Sequence, residues 1–560
     1  MERVQERAFE RRWAILAVLC FSLLVIVLDN SILNVAIPTL VDKLSASNSQ
    51  VQWMVDSYTL VFAGLLLTAG SLGDRFGRRG ALQVGFAVFG LGSAISAVAT
   101  SAGQLIATRA VMGIGGAFIM PATLSIITNL FPPHERGRAI GAWAGVAGLG
   151  GALGPIAGGF LLEHFYWGSI FLVNLPVVVL GVIAGFFLIP TSKDATHSKL
   201  DPLGAVLSIG GLGALLYGII QGPDAGWRDP TTVVALAAGA VLLAGFLAWE
   251  RTTRHPMLDV SFFRNPRFSA ASAAITLTFF AMFGSVFLLT QYLQFVLGYS
   301  PLTTGVRLLP FAGSIMIVAP ASARVAERIG TKLTVTLGLV LVTAGLLSLT
   351  ALRVDTTYAG LVWRLVLMST GLGLTMAPAT DSVMGSLPLA KAGVGSAVND
   401  TTRQVGGALG VAVVGSILSS TYGSKVAGFF AGTQAPDGAR EAARRSLGGA
   451  LQVADRLRNA RFPGAARLAG ELARTAEQSF VDAMHRSVLG ASVATAIGIV
   501  VALRFLPATA PPGHGHPGPG HPAEAAPTDA GGALILEPSA DVDLEADPEP
   551  HGDLAPQPVP

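Results

Sequence analysis

The chain has 560 residues, of which 51% are apolar and only 13% charged, with a mean hydropathy of +0.59. Apolar runs of membrane-spanning length recur along it, which excludes an array of soluble domains and predicts an integral membrane protein. The net charge of +3 is spread over loops at the ends of these runs, so no nucleic-acid surface is expected; the lone Cys20 excludes a disulfide framework or a cysteine-based metal site.

Residues 1–12 are basic, and the run that follows continues to Ile37, too long for the core of a cleaved signal peptide, so a retained first helix is expected. Polar and Gly/Pro breaks predict fourteen spans. Six lie at about 13–37, 52–72, 81–100, 104–130, 139–162 and 168–189, and two more at about 203–221 and 232–249. The last six lie at about 269–291, 303–323, 333–352, 359–384, 397–419 and 486–506. Between spans two and three runs Gly70 to Leu82, where Asp74, Arg75, Arg78 and Arg79 cluster around Gly70, Gly73 and Gly77. So dense a knot of charge between apolar runs belongs at a water interface, either as a gate latch or as a plain topology anchor.

Lysine and arginine set the expected orientation. With the N-terminus inside, the inner segments carry twenty basic residues and the short outer loops only Lys43, Arg228, Arg307 and Arg353. Both termini are then expected in the cytoplasm of a cell-membrane protein.

An internal repeat divides the chain. Asp74-Arg75-Phe76-Gly77-Arg78-Arg79 is echoed by Glu327-Arg328-Ile329-Gly330-Thr331-Lys332, and Gly150 to Gly154 in span five by Gly406 to Gly410 in span thirteen, at nearly the same offset. The expected organisation is a six-helix half at 13–189, a linker with two extra spans at 190–268, and a second six-helix half at 269–506. The second half includes an outer loop at 421–484, whose Ala/Arg spacing fits amphipathic helices lying on headgroups or a solvated hairpin. The tail 507–560 reads as disordered, and His514, His516 and His521 within it are taken as composition rather than a metal site.

Charged side chains inside the spans are the chemical candidates. Asp29 lies in an otherwise apolar helix, where a carboxylate must face a cavity, find a partner or carry a proton. Asp56 and Asp381 are further candidates for a proton or a cationic substrate, the latter beside the helix-disturbing Pro378, while Arg403 reads as an interfacial snorkelling residue. The glycines of span five, at 145, 148, 150, 151, 154, 158 and 159, invite close helix packing, and Pro155 a bend. No phosphate loop, metal-ligand cluster or nucleophile with a base is present, so neither catalysis nor a cofactor is expected.

These features resemble the major facilitator superfamily, specifically its fourteen-span drug:proton antiporters. Gly70 to Leu82 resembles the loop signature between spans two and three, and Arg109-Ala110-Val111-Met112-Gly113-Ile114-Gly115-Gly116 the span-four motif. Gly150, Gly154-Pro155 and Gly158-Gly159 resemble the span-five antiporter motif, and Leu28-Asp29-Asn30-Ser31 to Pro38 the span-one motif. One departure is Trp167-Gly168-Ser169, where relatives carry Trp-Arg-Trp; Asn174 and Pro176 still fit.

The resemblance implies an all-α major facilitator fold of two six-helix halves plus two inserted helices. It also pairs Asp29 with Arg109 across a shared cavity as the proton-coupling site; a purely local role for Asp29 in orienting backbone is the alternative. The expected function is proton-driven export of amphipathic small molecules by alternating access, through a cavity lined by aromatics such as Phe279, Phe280, Phe283, Tyr292 and Phe295. Partners are then the substrates, protons and the bilayer, with the chain acting as a monomer. Export of one endogenous metabolite or lipid, or a non-transporting sensor, are the alternatives.

Overall fold

In the computed structural model, residues 9–44, 48–192, 201–254, 256–430, 435–460 and 464–507 are described; the expected disordered tail beyond Pro507 lies outside them, as do Arg3, Arg7, Lys193 and Lys199 of the orientation count. The membrane helices of the first half are α1 (Arg12–Leu44), α2 (Asn48–Phe76), α3 (Arg78–Ala97), α4 (Ala102–Leu130), α5 (Pro133–His164) and α6 (Asn174–Leu188). Then come α7 (Pro202–Ala225) and α8 (Pro230–Thr252), followed by α9 (Pro266–Gln291), α10 (Pro301–Ile329), α11 (Thr331–Leu349), α12 (Tyr358–Met384) and α13 (Ala392–Phe429). Two short helices, α14 (Asp437–Arg445) and α15 (Leu447–Arg458), precede the long α16 (Ala465–Phe505). Among the described residues thirteen helices are long and apolar enough to cross a membrane, or fourteen when the bent α5 is taken as one span.

Local chemistry starts these helices where it should. Asp201, Asp229, Asn265 and Ser300 each accept a hydrogen bond from a first-turn amide, and a proline follows each at the first helical position, where its missing N–H costs nothing. Gly77 and Gly330 occupy equivalent places in the repeat, each ending one helix and starting the next, with φ of 114° and 85°. Only glycine reaches that conformation without strain, which explains why the glycine recurs although its charged neighbours change.

The packing of the first half recurs in the second. As α1 packs on α5, so α9 packs on α13; α2 and α3 lie on α4 as α10 and α11 lie on α12; α6 stands against α3 as α16 stands against α11. The halves meet along two seams, α5 with α10 and α2 with α13. The inserted hairpin does not separate them. Instead α7 lies across the second seam, touching both α2 and α13, with Trp53 stacked on Tyr217 and Trp227 donating to Ser416 Oγ at 2.6 Å.

The outer loop departs from its expected boundaries. Helix α13 runs on to Phe429 and α16 begins at Ala465, so both ends of residues 421–484 continue the two spans as helix. Hydropathy marks where lipid contact ends, but Ala, Glu, Gln and Arg keep the helix going. At 41 residues α16 is roughly 60 Å long, about twice the hydrocarbon thickness. Helix α15 packs on α16 and buries Leu447, Ala450, Val453 and Ala454. Tyr422 Oη also donates to Ala443 O at 3.1 Å, and Lys425 pairs with Asp482. The apolar face of α15 finds protein.

Candidate functional site

Two polar clusters and one inter-half contact hold most of the buried charge. In the first cluster Asp29 of α1 is ion-paired with Arg109 of α4, both essentially inaccessible to solvent. The other Asp29 oxygen accepts from Asn174 Nδ2 at 2.8 Å, and the same amide reaches Ser93 Oγ at 3.0 Å. Arg109 Nε donates to Met54 O at 3.2 Å, its second nitrogen to Asn30 Oδ1 at 3.2 Å, and the ring of Tyr58 lies 4.5 Å below its carbon. Helices α1, α2, α3, α4 and α6 thus contribute to one fully partnered ion pair. A buried pair persists only when its remaining hydrogen-bonding groups are also satisfied, as they are here. Asn174, which in the sequence only fits a pattern, proves to be a direct ligand of Asp29; Asn30 stands out there only as a member of the span-one motif, and Ser93 and Tyr58 carry no such signal in one dimension.

The inter-half contact is made by the charged loop. Asp74, buried at the end of α2, accepts at Oδ1 from Arg78 Nε (2.9 Å), an Arg78 terminal nitrogen (2.7 Å) and Gly393 N (2.9 Å), and at Oδ2 from Val394 N (3.0 Å). Gly393 and Val394 are the first-turn amides of α13, in the other half. A carboxylate there satisfies orphan donors and complements the positive end of the helix dipole. Arg78 crosses the seam too, donating to Leu389 O at 2.8 Å and Ala390 O at 3.1 Å. Gly70 is required by the same contact, since a Cβ there would lie 2.6 Å from Gly393 O. Gly73 sits one turn before Gly77 and packs beside Ala81.

Of the remaining loop cations, Arg79 is held by its own half. Arg79 reaches Ile189 O at 3.4 Å and the Phe186 ring, and Arg75 lies over Phe76. The repeat-related loop shares the positive-φ Gly330 but not the ion pair, because Glu327 and Arg328 are exposed and Lys332 half-buried. On the same face Arg12 of α1 pairs with Glu135 of α5 at 2.7 Å.

Asp56 is buried in α2, two residues past the carbonyl that receives Arg109. Asp381 has Arg136 of α5 and Arg267 of α9 as its charged neighbours, so cations from both halves flank it. That setting resembles a second tie between halves more than a lining of a cavity.

The glycines of α5 divide into two rows. Gly137, Gly141 and Gly145 face α10 at Ala323, Ala319–Pro320 and Met316, whereas Gly150, Gly154 and Gly158 face α1 at Val27, Ser31 and Ile32. Spacing of four residues keeps each row on one face. Gly159 touches Leu302 loosely and Gly151 touches nothing within 4 Å. The segments Pro133–Gly151 and Ile156–His164 are inclined by 42°, within the second row; the changeover comes earlier, between Gly145 and Gly150, where a step of five residues instead of four turns the row to another face of the helix, and the side-chain surroundings of Pro155 are outside the described residues. In the repeat, Gly406 and Gly410 meet Thr276 and Phe280 of α9 in the same manner. Among the described glycines the tightest inter-half approach is at Gly141, where a Cβ would stand 2.5 Å from Ala319 O and 2.7 Å from Pro320 Cα. Gly141→Val is therefore expected to abolish transport by holding this seam apart while membrane insertion stays normal, measured as efflux against immunoblotted membrane protein.

The second polar cluster corrects the sequence reading. Asp400 and Arg403, both on α13, are buried, and Arg403 is no snorkelling residue: its guanidinium lies 4.6 Å from the Trp143 ring of α5 and 5.2 Å from Phe279 of α9. Hydropathy puts the helix start at residue 397, but α13 begins at Ala392, so Asp400 lies roughly 12 Å along the helix. Of the aromatics expected around span nine, Phe279 joins this cluster and Phe280 packs on Gly410. Tyr292 and Phe295 follow the C-terminal end of α9, where Tyr292 Oη donates to Arg353 O at 2.7 Å and Phe295 packs near Gly448.

Comparison with known proteins adds three findings. The Major Facilitator Superfamily profile matches residues 19–411. The multidrug efflux pump LfrA of Mycolicibacterium smegmatis is 36% identical over 497 residues, 88% of this chain and 96% of that protein. The tetracenomycin C resistance and export protein of Streptomyces glaucescens is 34% identical, over 88% of this chain and 90% of its own length. Among solved structures, the human organic anion transporter MFSD10 superposes with a TM-score of 0.57 at 14% identity, covering 89% of this chain and 99% of its own, a likeness of fold.

Proposed function

This chain belongs to the major facilitator superfamily, a family of membrane transporters, and from that premise we propose that it exports amphipathic small molecules in exchange for protons. The observation that carries the reading is the Asp29–Arg109 pair, a charged couple buried within the first half of a transporter fold. Protonation and ion pairing compete for the same Asp29 oxygens. A conformational change that opens the contact with Arg109 therefore lets a proton on, and one that restores it drives the proton off. No other energy source is needed, since each proton charge moving inward supplies about 2.3 kcal/mol per 100 mV.

The relatives support the same reading, one being named a multidrug efflux pump and one a resistance and export protein. The second name favours a narrower reading as well, a dedicated exporter of one metabolite. A non-transporting sensor is disfavoured, because it would have no use for Asp29, Arg109 and Asp74 held as they are.

In the proposed cycle the basic face is cytoplasmic, both termini lie on that side in the cell membrane, and the chain works as a monomer. The Asp74 contact with α13 latches this face shut, assisted by the cations around Asp381 and by the Gly137–Gly145 row on α10. The seam of α5 against α1, through Gly150, Gly154 and Gly158, stays within one half and moves as a unit.

The direct test uses everted vesicles from a strain lacking its own pumps. Adding ethidium to energised vesicles is expected to release protons only when this chain is present; silence towards every member of a panel of cationic, zwitterionic and neutral drugs would sink the reading. Deleting residues 510–560 is expected to change efflux by less than about twofold, since a Pro/Gly/acidic tail packs no core. A minimum-inhibitory-concentration series on the truncated chain checks it.

A further inference from the structure

We propose that Asp400, Trp143 and Phe279 form a binding site for the positive group of a lipophilic organic cation, a site that Arg403 fills in the present conformation. The inference rests on the export reading and adds a substrate-binding locus to it. Two aromatic faces on opposite halves, from α5 and α9, close on one guanidinium at 4.6 and 5.2 Å. Aromatic faces around a cation, with a carboxylate alongside, are the chemistry that recognises quaternary and delocalised organic cations.

The arrangement is poor as a structural brace. Arg403 meets Asp400 Oδ1 only at 3.8 Å, and Asn399 Nδ2 approaches the same oxygen at 3.4 Å. Asp400 Oδ2 and Arg403 Nε are buried with no hydrogen-bond partner, whereas both oxygens of Asp29 are well satisfied. A buried pair that leaves such atoms unmet stabilises little, and retaining it requires another use. Around the site, α5 presents Trp143, itself held by Nε1 donating to Thr123 Oγ1 at 3.2 Å, and α9 presents Phe279. Helix α12 presents Thr380, whose hydroxyl accepts from Arg403 at 3.1 Å and donates to Asn399 Oδ1 at 3.3 Å. Among the described residues Arg403 is the one charged group in contact with Asp400.

Position couples the site to the gate. Asp400 lies on the same helix as Gly393 and Val394, whose amides hold Asp74, about two turns further in. Releasing Asp74 frees the end of α13, draws Arg403 from between Trp143 and Phe279, and opens the place to an incoming cation. A proton on Asp400 removes the charge that the cation needs, so proton and substrate exclude each other here.

Tetraphenylphosphonium binding to the purified full chain in nanodiscs tests the site. Asp400→Asn is expected to weaken binding about tenfold and to flatten its pH dependence between pH 6 and 8. Arg403→Gln is expected to do the opposite and tighten binding about fivefold, because it removes the internal competitor. Trp143→Leu, which leaves both charges in place, is expected to weaken binding at least about threefold, and Trp143→Phe to preserve it. A structural pair would instead give losses of the same sign for Asp400→Asn and Arg403→Gln, with Trp143→Leu neutral; that pattern, or unchanged binding in Asp400→Asn, overturns the proposal. The export reading fails separately: absence of drug-evoked proton release by the unaltered chain removes it even where these binding shifts are found. Normal proton release with no binding response to Asp400→Asn keeps export and discards this site.

Discussion

Replacing Asp29 by Asn is expected to reduce drug-evoked proton release in everted vesicles to background. The side chain keeps its size, its oxygen can still accept from Asn174 Nδ2, and Arg109 keeps Met54 O, Asn30 Oδ1 and the Tyr58 face. What disappears is the one group in this cluster that can both carry a proton and release it to a cation. Removing one partner of a buried pair also strands the other charge, at a cost of about 3–5 kcal/mol. Loss of function in the single variant therefore needs a control. The double variant Asp29→Asn/Arg109→Gln removes both charges and is expected to recover membrane abundance and thermal stability without recovering coupling. Two results would sink the coupling role: undiminished proton release in Asp29→Asn, or restored coupled efflux in the neutral double variant, which would make Asp29 a folding residue only.

The second large effect is expected from Asp74→Ala: efflux below about a tenth of wild type, with normal insertion. Four hydrogen bonds end on this carboxylate, two from Arg78 and two from the first turn of α13. Charge-assisted bonds of this kind contribute about 1.5–3 kcal/mol each, and their removal leaves a buried guanidinium without its counter-charge and two helix amides without a partner. Losing even two moves the closed–open equilibrium by more than a hundredfold, far beyond what a transport cycle tolerates when both states must be visited. The distance between spin labels placed at the exposed positions Gly80 and Leu389, on either side of the seam, reads the latch directly. Asp74→Ala is expected to broaden and lengthen that distance. An unchanged distance with full efflux would reduce the loop to a topology anchor, a role Arg75, Arg78 and Arg79 could fill without the acid.

Asp29 and Asp74 are both legible in the sequence, and for the same reason. A carboxylate in an apolar run, or a cluster of charge beside glycines between two such runs, is conspicuous because membrane insertion penalises it, so its presence demands a use. The spans are legible likewise, since each must match the thickness of the hydrocarbon core, and the repeat leaves its trace in Gly77 and Gly330, where only glycine adopts the backbone. Asp400 and Arg403 are equally charged, yet they fall near the helix end that hydropathy marks, where a cation reads as interfacial. Hydropathy locates where lipid contact stops, which is neither where a helix starts nor what it faces.

By itself, then, the sequence determined the membrane class, the number and order of spans, the duplicated halves and the identity of the loop acid, because each follows from local composition meeting a fixed bilayer. Partnership was decided only in three dimensions. Asn174 comes to Asp29 from a helix 145 positions away, and Gly393 and Val394 come to Asp74 from more than 300. The two glycine rows of α5 look alike in one dimension, and only the packing of the bundle gives Gly141 to α10 and Gly154 to α1. Helices α14 and α15 carry a surface-seeking pattern, yet α15 lays its apolar side on the overlong α16. Side-chain periodicity says that a face must be covered; which neighbour covers it depends on the packing of the whole bundle.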